Sequence, residues 1–89
     1  MKGQKETQVE RLEDGGFKVF CPSGTILWVD ENGGYHRLDG PAMELSYGKQ
    51  LWWIHGRQLN TKEVATWLET NGIDLRREED QSLFLVRFS

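Results

Sequence analysis

A single cysteine, two prolines and no long apolar run set the first limits on this chain. Cys21 alone cannot form an intramolecular disulfide, so a reducing, cytoplasmic setting is the simpler expectation. The opening stretch MKGQKETQVE lacks the apolar segment of a signal peptide or a membrane span. Charge of one sign is scarce as well. Fourteen acidic residues against eleven basic ones leave a net charge of −3, too mild to name a partner and of the wrong sign for neutralising phosphates, so direct nucleic-acid binding is disfavoured. The acidic residues Glu10, Glu13, Asp14, Asp30 and Glu31 are few and interspersed with bases, which ranks mimicry of DNA below recognition of a protein surface. No Walker loop, G-x-S-x-G elbow or H-E-x-x-H is present. Cys21, His36 and His55 are three widely separated residues, where a structural zinc site uses four ligands with at least one close pair. No metal, no cofactor and no enzymatic activity are expected.

What is present is a soluble composition in 89 residues: 37% hydrophobic, 28% charged, ten glycines and four tryptophans. That length predicts one domain, residues 1–89. TQVERLE, FKVFC, TILWVD, AMELSY and QLWWIH are short segments rich in β-branched or aromatic residues, separated by Asp14-Gly15-Gly16, Ser23-Gly24, Asn32-Gly33-Gly34 and Tyr47-Gly48. They predict closely spaced hairpins. Met43, Leu45 and Tyr47 alternate with Glu44 and Ser46 as in a strand with one wet face. Asn60 as N-cap, Glu63 three residues on and Gly72 as a stop predict one helix over residues 60–71, its Val64, Trp67 and Leu68 stripe laid on the sheet. RREED reads as a solvated loop and residues 82–88, SLFLVRF, as a final strand. The expected fold class is therefore α+β, a twisted antiparallel sheet of about five or six strands built from hairpins with one packed helix.

GTILWV from Gly24 and GKQLWW from Gly48 overlay at a spacing of 24 residues, sharing Gly, Leu and Trp, which marks residues 23–60 as a hairpin-repeat region. With the intervening HRLDGPA, residues 36–42, this region resembles small phage and prophage-type proteins whose Trp/Gly β-hairpin repeats carry a His-Arg-x-Asp-Gly-Pro-Ala motif, loosely similar to MORN-type repeats. The family usually repeats the His-Arg element, whereas this chain has RQLN after Gly56 and goes into a helix. The resemblance implies a β-rich scaffold from mobile elements and no particular reaction.

Two readings of HRLDGPA compete with a turn. His36 could be a general base oriented by Asp39, with Arg37 clamping an anion, or the three could contact a ligand. The turn reading is preferred, because Asp39-Gly40 is a strong turn dipeptide, Gly40 can take a positive φ and Pro41 fixes entry to the next strand. Strand alternation prevents Trp52 and Trp53 from both facing a core. An outward tryptophan beside Tyr35, His55 and Arg57 would combine residue types enriched at protein interfaces. The candidate binding residues are thus Trp28, Tyr35, His36, Arg37, Trp52, Trp53, His55 and Arg57. The leading expectation is a non-enzymatic binding protein that inhibits a host protein, such as a defence nuclease or its nucleic-acid complex. The alternatives are a structural accessory protein acting as a homo-oligomer and a trap for a small ligand or nucleotide, with Trp and Arg37 stacking on an anion.

Overall fold

The computed structural model describes residues 6–89. Strands β1 (Gln8–Arg11), β2 (Phe17–Phe20), β3 (Ile26–Val29), β4 (Met43–Glu44) and β5 (Gln50–Leu51) form one antiparallel sheet in that order. A separate hairpin pairs β6 (Trp53–Ile54) with β7 (Arg57–Gln58), and helices α1 (Thr61–Thr70) and α2 (Glu78–Phe88) complete an α+β fold.

The two glycines of the 24-residue repeat make the same turn. Gly24 donates to Cys21 O at 2.9 Å while Cys21 donates to Thr25 O at 2.9 Å; Gly48 donates to Leu45 O at 2.9 Å while Leu45 donates to Lys49 O at 2.8 Å. Both glycines are left-handed, with φ of 96° and 97°, the bulge geometry that a three-residue hairpin loop needs and that a side chain resists. Turns at Leu12/Gly15 and Asp30/Gly33 are wired identically. Gly15, Gly24 and Gly33 therefore stand nine residues apart, a shorter period of one strand and one turn. AMELSY contributes only a two-residue strand, since the turn begins at Leu45, and Tyr47 is 75% exposed on it.

Residues 82–88 are helical, which corrects the expected final strand. A short apolar run does not by itself distinguish strand from helix. As a helix, SLFLVRF brings Phe84 and Phe88 onto one stripe at i, i+4, and both are buried. Glu78, Glu79 and Asp80, expected in a loop, are its first turn, where carboxylates oppose the positive end of the helix dipole. Asp80 accepts from the Asp74 backbone at 2.8 Å, and Gln81 Nε2 donates to Leu75 O at 2.9 Å, tying the new helix to the connection before it.

Helix α1 begins and ends as expected. Asn60 Oδ1 accepts from the Glu63 N–H at 3.0 Å, and at the far end Gly72 donates to Glu69 O and Ile73 to Leu68 O, closing the last turn at a left-handed glycine. Its stripe does not lie on the five-stranded sheet. Val64 joins Ile54, Leu59, Leu75, Phe84 and Phe88 in one core, with Trp52, Trp67 and Leu68 packed around it. Trp52 and Trp67 both meet the Phe84 ring, at centroid distances of 5.7 and 6.3 Å, and Trp67 also meets Phe88 edge-on at 5.6 Å. The second helix supplies the apolar surface that α1 buries. No residue of β1 to β5 belongs to that core, and the molecule is elongated, 50 × 27 × 21 Å.

Candidate functional site

The sequence motif gathers around two rings. Arg37 lies over the indole of Trp28, its guanidinium carbon 3.8 Å from the ring centroid, and Lys18 Nζ lies 5.2 Å from the same ring. The guanidinium is held from two of its nitrogens: Nε donates to Asp39 Oδ1 at 2.6 Å, Nη1 donates to Pro41 O at 3.0 Å, and Glu44 stands 3.7 Å from Nη1. Trp28 is left 6% exposed. Gly40 closes this assembly from the other side. The expectation of a positive φ at Gly40 is not met; the requirement is steric, since a Cβ there would sit 2.9 Å from Arg37 Cζ. The motif is a stacked knot in which arginine ties its own turn to Trp28.

His36 and His55 form the second assembly. Their rings stack with centroids 3.8 Å apart and planes 15° from parallel. His55 occupies the first position of the two-residue β6–β7 turn with φ of 46°, followed by Gly56 at 82°, the paired left-handed conformation of a type I′ turn. A non-glycine residue there is strained, and three contacts hold it: the His55 N–H donates to His36 Nδ1 at 3.0 Å, His55 Nδ1–H donates to Asp30 Oδ2 at 3.0 Å, and the Gly56 N–H donates to Tyr35 O at 2.8 Å. Asp30 in turn uses Oδ1 to accept from the Asn32 and Gly34 amides at 2.9 and 3.0 Å. The imidazole N–H of His55, and then the two backbone amides, hold the Asp30 carboxyl below its ordinary value despite its burial.

Burial, and next the adjacent His55, push His36 below its usual value, against the pull of Asp30 and Asp14. A histidine so held favours its neutral form in the fold. As pH falls below about 6.5, the unfolded chain takes up the proton first, so stability present at pH 7.5 declines and then levels off below the folded value. The urea midpoint is expected to fall between pH 7.5 and pH 5.5 in the wild type. His36→Asn keeps an acceptor for His55 and should flatten that dependence; an undiminished slope in this variant would refute the assignment to His36. Asp30, with a lowered carboxylate value, loses its contribution only as pH falls below about 4, outside this window.

The catalytic pairing considered from the sequence does not form. Asp39 turns to Arg37, and the carboxylate that reaches an imidazole is Asp30, on His55. Asp30 was not among the candidates, although Asp two residues before Asn32-Gly33 is a strong signal for a side chain that caps its own turn. Of the eight candidate binding residues, Trp28 and Trp52 are occupied in packing. Trp53 faces away from the helical core, its ring 4.9 Å from that of Tyr35. His55 and Arg57 are exposed on the β6–β7 hairpin. Tyr35 and Trp53 pack together beside the hairpin that carries His55 and Arg57, but the outward tryptophan expected there is not exposed: Trp53 is half-buried.

A cleft of about 440 Å³ borders the motif, lined by Trp28, His36 and Arg37 together with Glu13, Asp14, Asp39 and Glu78. Among the described residues, no group of three or more His, Cys, Asp or Glu side chains is arranged to hold a metal ion, and no helix is long and apolar enough to cross a membrane. Cys21 is half-buried and free. No family model, curated protein or solved structure matches the chain.

Proposed function

We propose that the chain is a non-enzymatic, cytoplasmic binding protein of phage or prophage type that inhibits a host protein by occupying one of its surfaces. The observation that carries this reading is the β6–β7 hairpin. Its strained turn is fixed from below by His36, Asp30 and Tyr35, while Arg57 and the outer face of the His55 ring are left exposed. A loop ordered before it meets a partner loses little further entropy on binding, which is what a recognition element needs. The same contacts leave the polar side chains of the motif committed. The His36 Nδ1 lone pair accepts a backbone amide, Asp39 is paired with Arg37, and neither is poised to activate a nucleophile.

The reading as a trap for an anionic ligand has less support, since Arg37 is stacked on Trp28 and already paired with Asp39, and the adjoining cleft is lined by Glu13, Asp14, Asp39 and Glu78. Capture from host lysate on immobilised wild type, Arg57→Glu and Tyr47→Ala tests the proposal. One protein should be retained in stoichiometric amount by wild type and by Tyr47→Ala, whose ring lies on a different turn. Arg57→Glu should retain at least about tenfold less, as expected when a contact worth over 1 kcal/mol is lost and its charge reversed. No retained protein, or one indifferent to Arg57→Glu, would reject the hairpin as the contact element.

A further inference from the structure

The backbone amide of His55 and a proton arriving at His36 compete for one lone pair. His36 Nδ1 accepts the His55 N–H at 3.0 Å, which puts the ring's own hydrogen on Nε2 and leaves Nδ1 as the nitrogen that a second proton must take. Once protonated, Nδ1 is a donor facing a donor. His55 is wired differently. Its Nδ1–H donates to Asp30 Oδ2 at 3.0 Å, so its second proton goes to the outer nitrogen, Nε2, and leaves that bond in place. The two stacked imidazoles, with centroids 3.8 Å apart, thus answer acid in opposite ways: one keeps its contact and the other gives it up.

The contact that His36 gives up holds a strained backbone. His55, with φ of 46°, is the one non-glycine residue of positive φ among the described residues, and such a conformation persists only where its surroundings enforce it. The turn is also seated closely on the neighbouring loop, where a Cβ at Gly34 would come within 3.2 Å of Gly56 Cα and N. We propose that the His55–Gly56 turn is a proton-operated latch, closed while His36 Nδ1 keeps its lone pair and opened locally, within an intact fold, when that nitrogen is protonated. The charges around His36 set where the latch works. Burial and then His55 disfavour the imidazolium, while Asp30 and Asp14 favour it. Glu13, from the same turn as Asp14, and Glu78, from α2, line the cleft beside His36, and Arg37 and Asp39 of its own loop are paired with each other. His36 therefore takes its proton below about pH 6.5, and Asp30 only below about 4. Between those limits the His55 backbone is released while its ring stays tethered to Asp30. A partner gripping this hairpin would be held at neutral pH and let go in mild acid; that consequence rests on the recognition reading, and the latch itself does not.

Nuclear magnetic resonance of the full chain from about pH 7.5 to about pH 4.5 tests the latch without any target. The ring carbons of the two histidines report their protonation, and hydrogen exchange, corrected for its intrinsic pH dependence, reports amide protection. Protection of the His55 amide should fall in step with the His36 titration, by up to about tenfold per pH unit below about 6.5. The Val64 and Trp28 amides, bonded to Asn60 O and Ala42 O, should keep theirs. In His36→Asn, whose side-chain oxygen accepts without titrating, His55 should stay protected throughout. Asp14→Asn keeps the acceptor for the Gly16 amide and removes a charge that favours the imidazolium, so it should move the His36 titration and the loss of His55 protection to lower pH together. A loss that follows the His55 ring instead, that persists in His36→Asn or that spreads to Val64 and Trp28 overturns the latch. So does a His55 amide still protected after His36 is charged, a His36 ring still neutral at pH 4.5, or a pair of midpoints that fail to move together in Asp14→Asn.

Discussion

Phe84→Ala is expected to be the most damaging single truncation in the molecule, at about 3–5 kcal/mol. Phe84 is fully buried and stands where three aromatic rings converge: Trp52 edge-on from the β5–β6 connection, Trp67 from α1 and Phe88 at 5.4 Å from the next turn of α2. Removing the ring leaves a void that a helix pinned at both ends cannot collapse into. Asp80 and Gln81 hold its beginning to the preceding connection, and Phe88 holds its end. Urea denaturation followed by tryptophan fluorescence would report the loss as a lowered midpoint. A midpoint within experimental error of wild type would mean that α2 does not close the core.

Gly40→Val is expected to cost about 3 kcal/mol, for a reason that differs from the one suggested by the sequence. An Asp-Gly pair suggests a left-handed glycine, yet φ at Gly40 is not positive, and the site excludes side chains because Arg37 fills the space. A valine there would have to displace the end of the Arg37 side chain, loosening its stacking on Trp28 and its hydrogen bonds to Asp39 and Pro41 O, a cost at the upper end of the roughly 1–3 kcal/mol typical of overpacking. The two effects separate in a double-mutant cycle. In an Arg37→Ala background, Gly40→Val should cost much less than in the wild type, because the obstructing group is gone. Equal costs in both backgrounds would show that the backbone at Gly40, and not Arg37, forbids a side chain.

Local chemistry was the most legible layer of this sequence. Asn60, Glu63 and Gly72 delimit α1 as a cap, a first-turn acid and a left-handed stop should, and the glycine turns separate the hairpin strands where they were expected. What failed depended on partners distant in sequence. SLFLVRF has the composition of a strand and becomes a helix because its phenylalanines meet Trp52 and Trp67, residues that no local period connects to it. The Val64 stripe was correctly identified as buried but placed against the wrong layer for the same reason: with α2 read as a strand, the five-stranded sheet was the only cover left. At the candidate site, alternation settled that Trp52 and Trp53 face opposite ways without saying which one is inward. Asp30 escaped notice because it serves two masters at once, its own turn through Oδ1 and His55 through Oδ2, and only the second contact spans distant sequence.

The central claim is that the motif and its histidines hold a recognition hairpin and perform no chemistry. The most direct measurement titrates the protein into a fixed concentration of its captured target and follows target activity together with the intact mass of both chains. Saturation near one binding hairpin per target, full recovery of activity after dilution or washing, and unaltered masses are the predicted result, and Cys21→Ser and added chelator should change none of them. Complete inactivation at a small fraction of equimolar, with a modified target recovered afterwards, would contradict the account and turn attention to the stacked imidazoles of His36 and His55 as an active site.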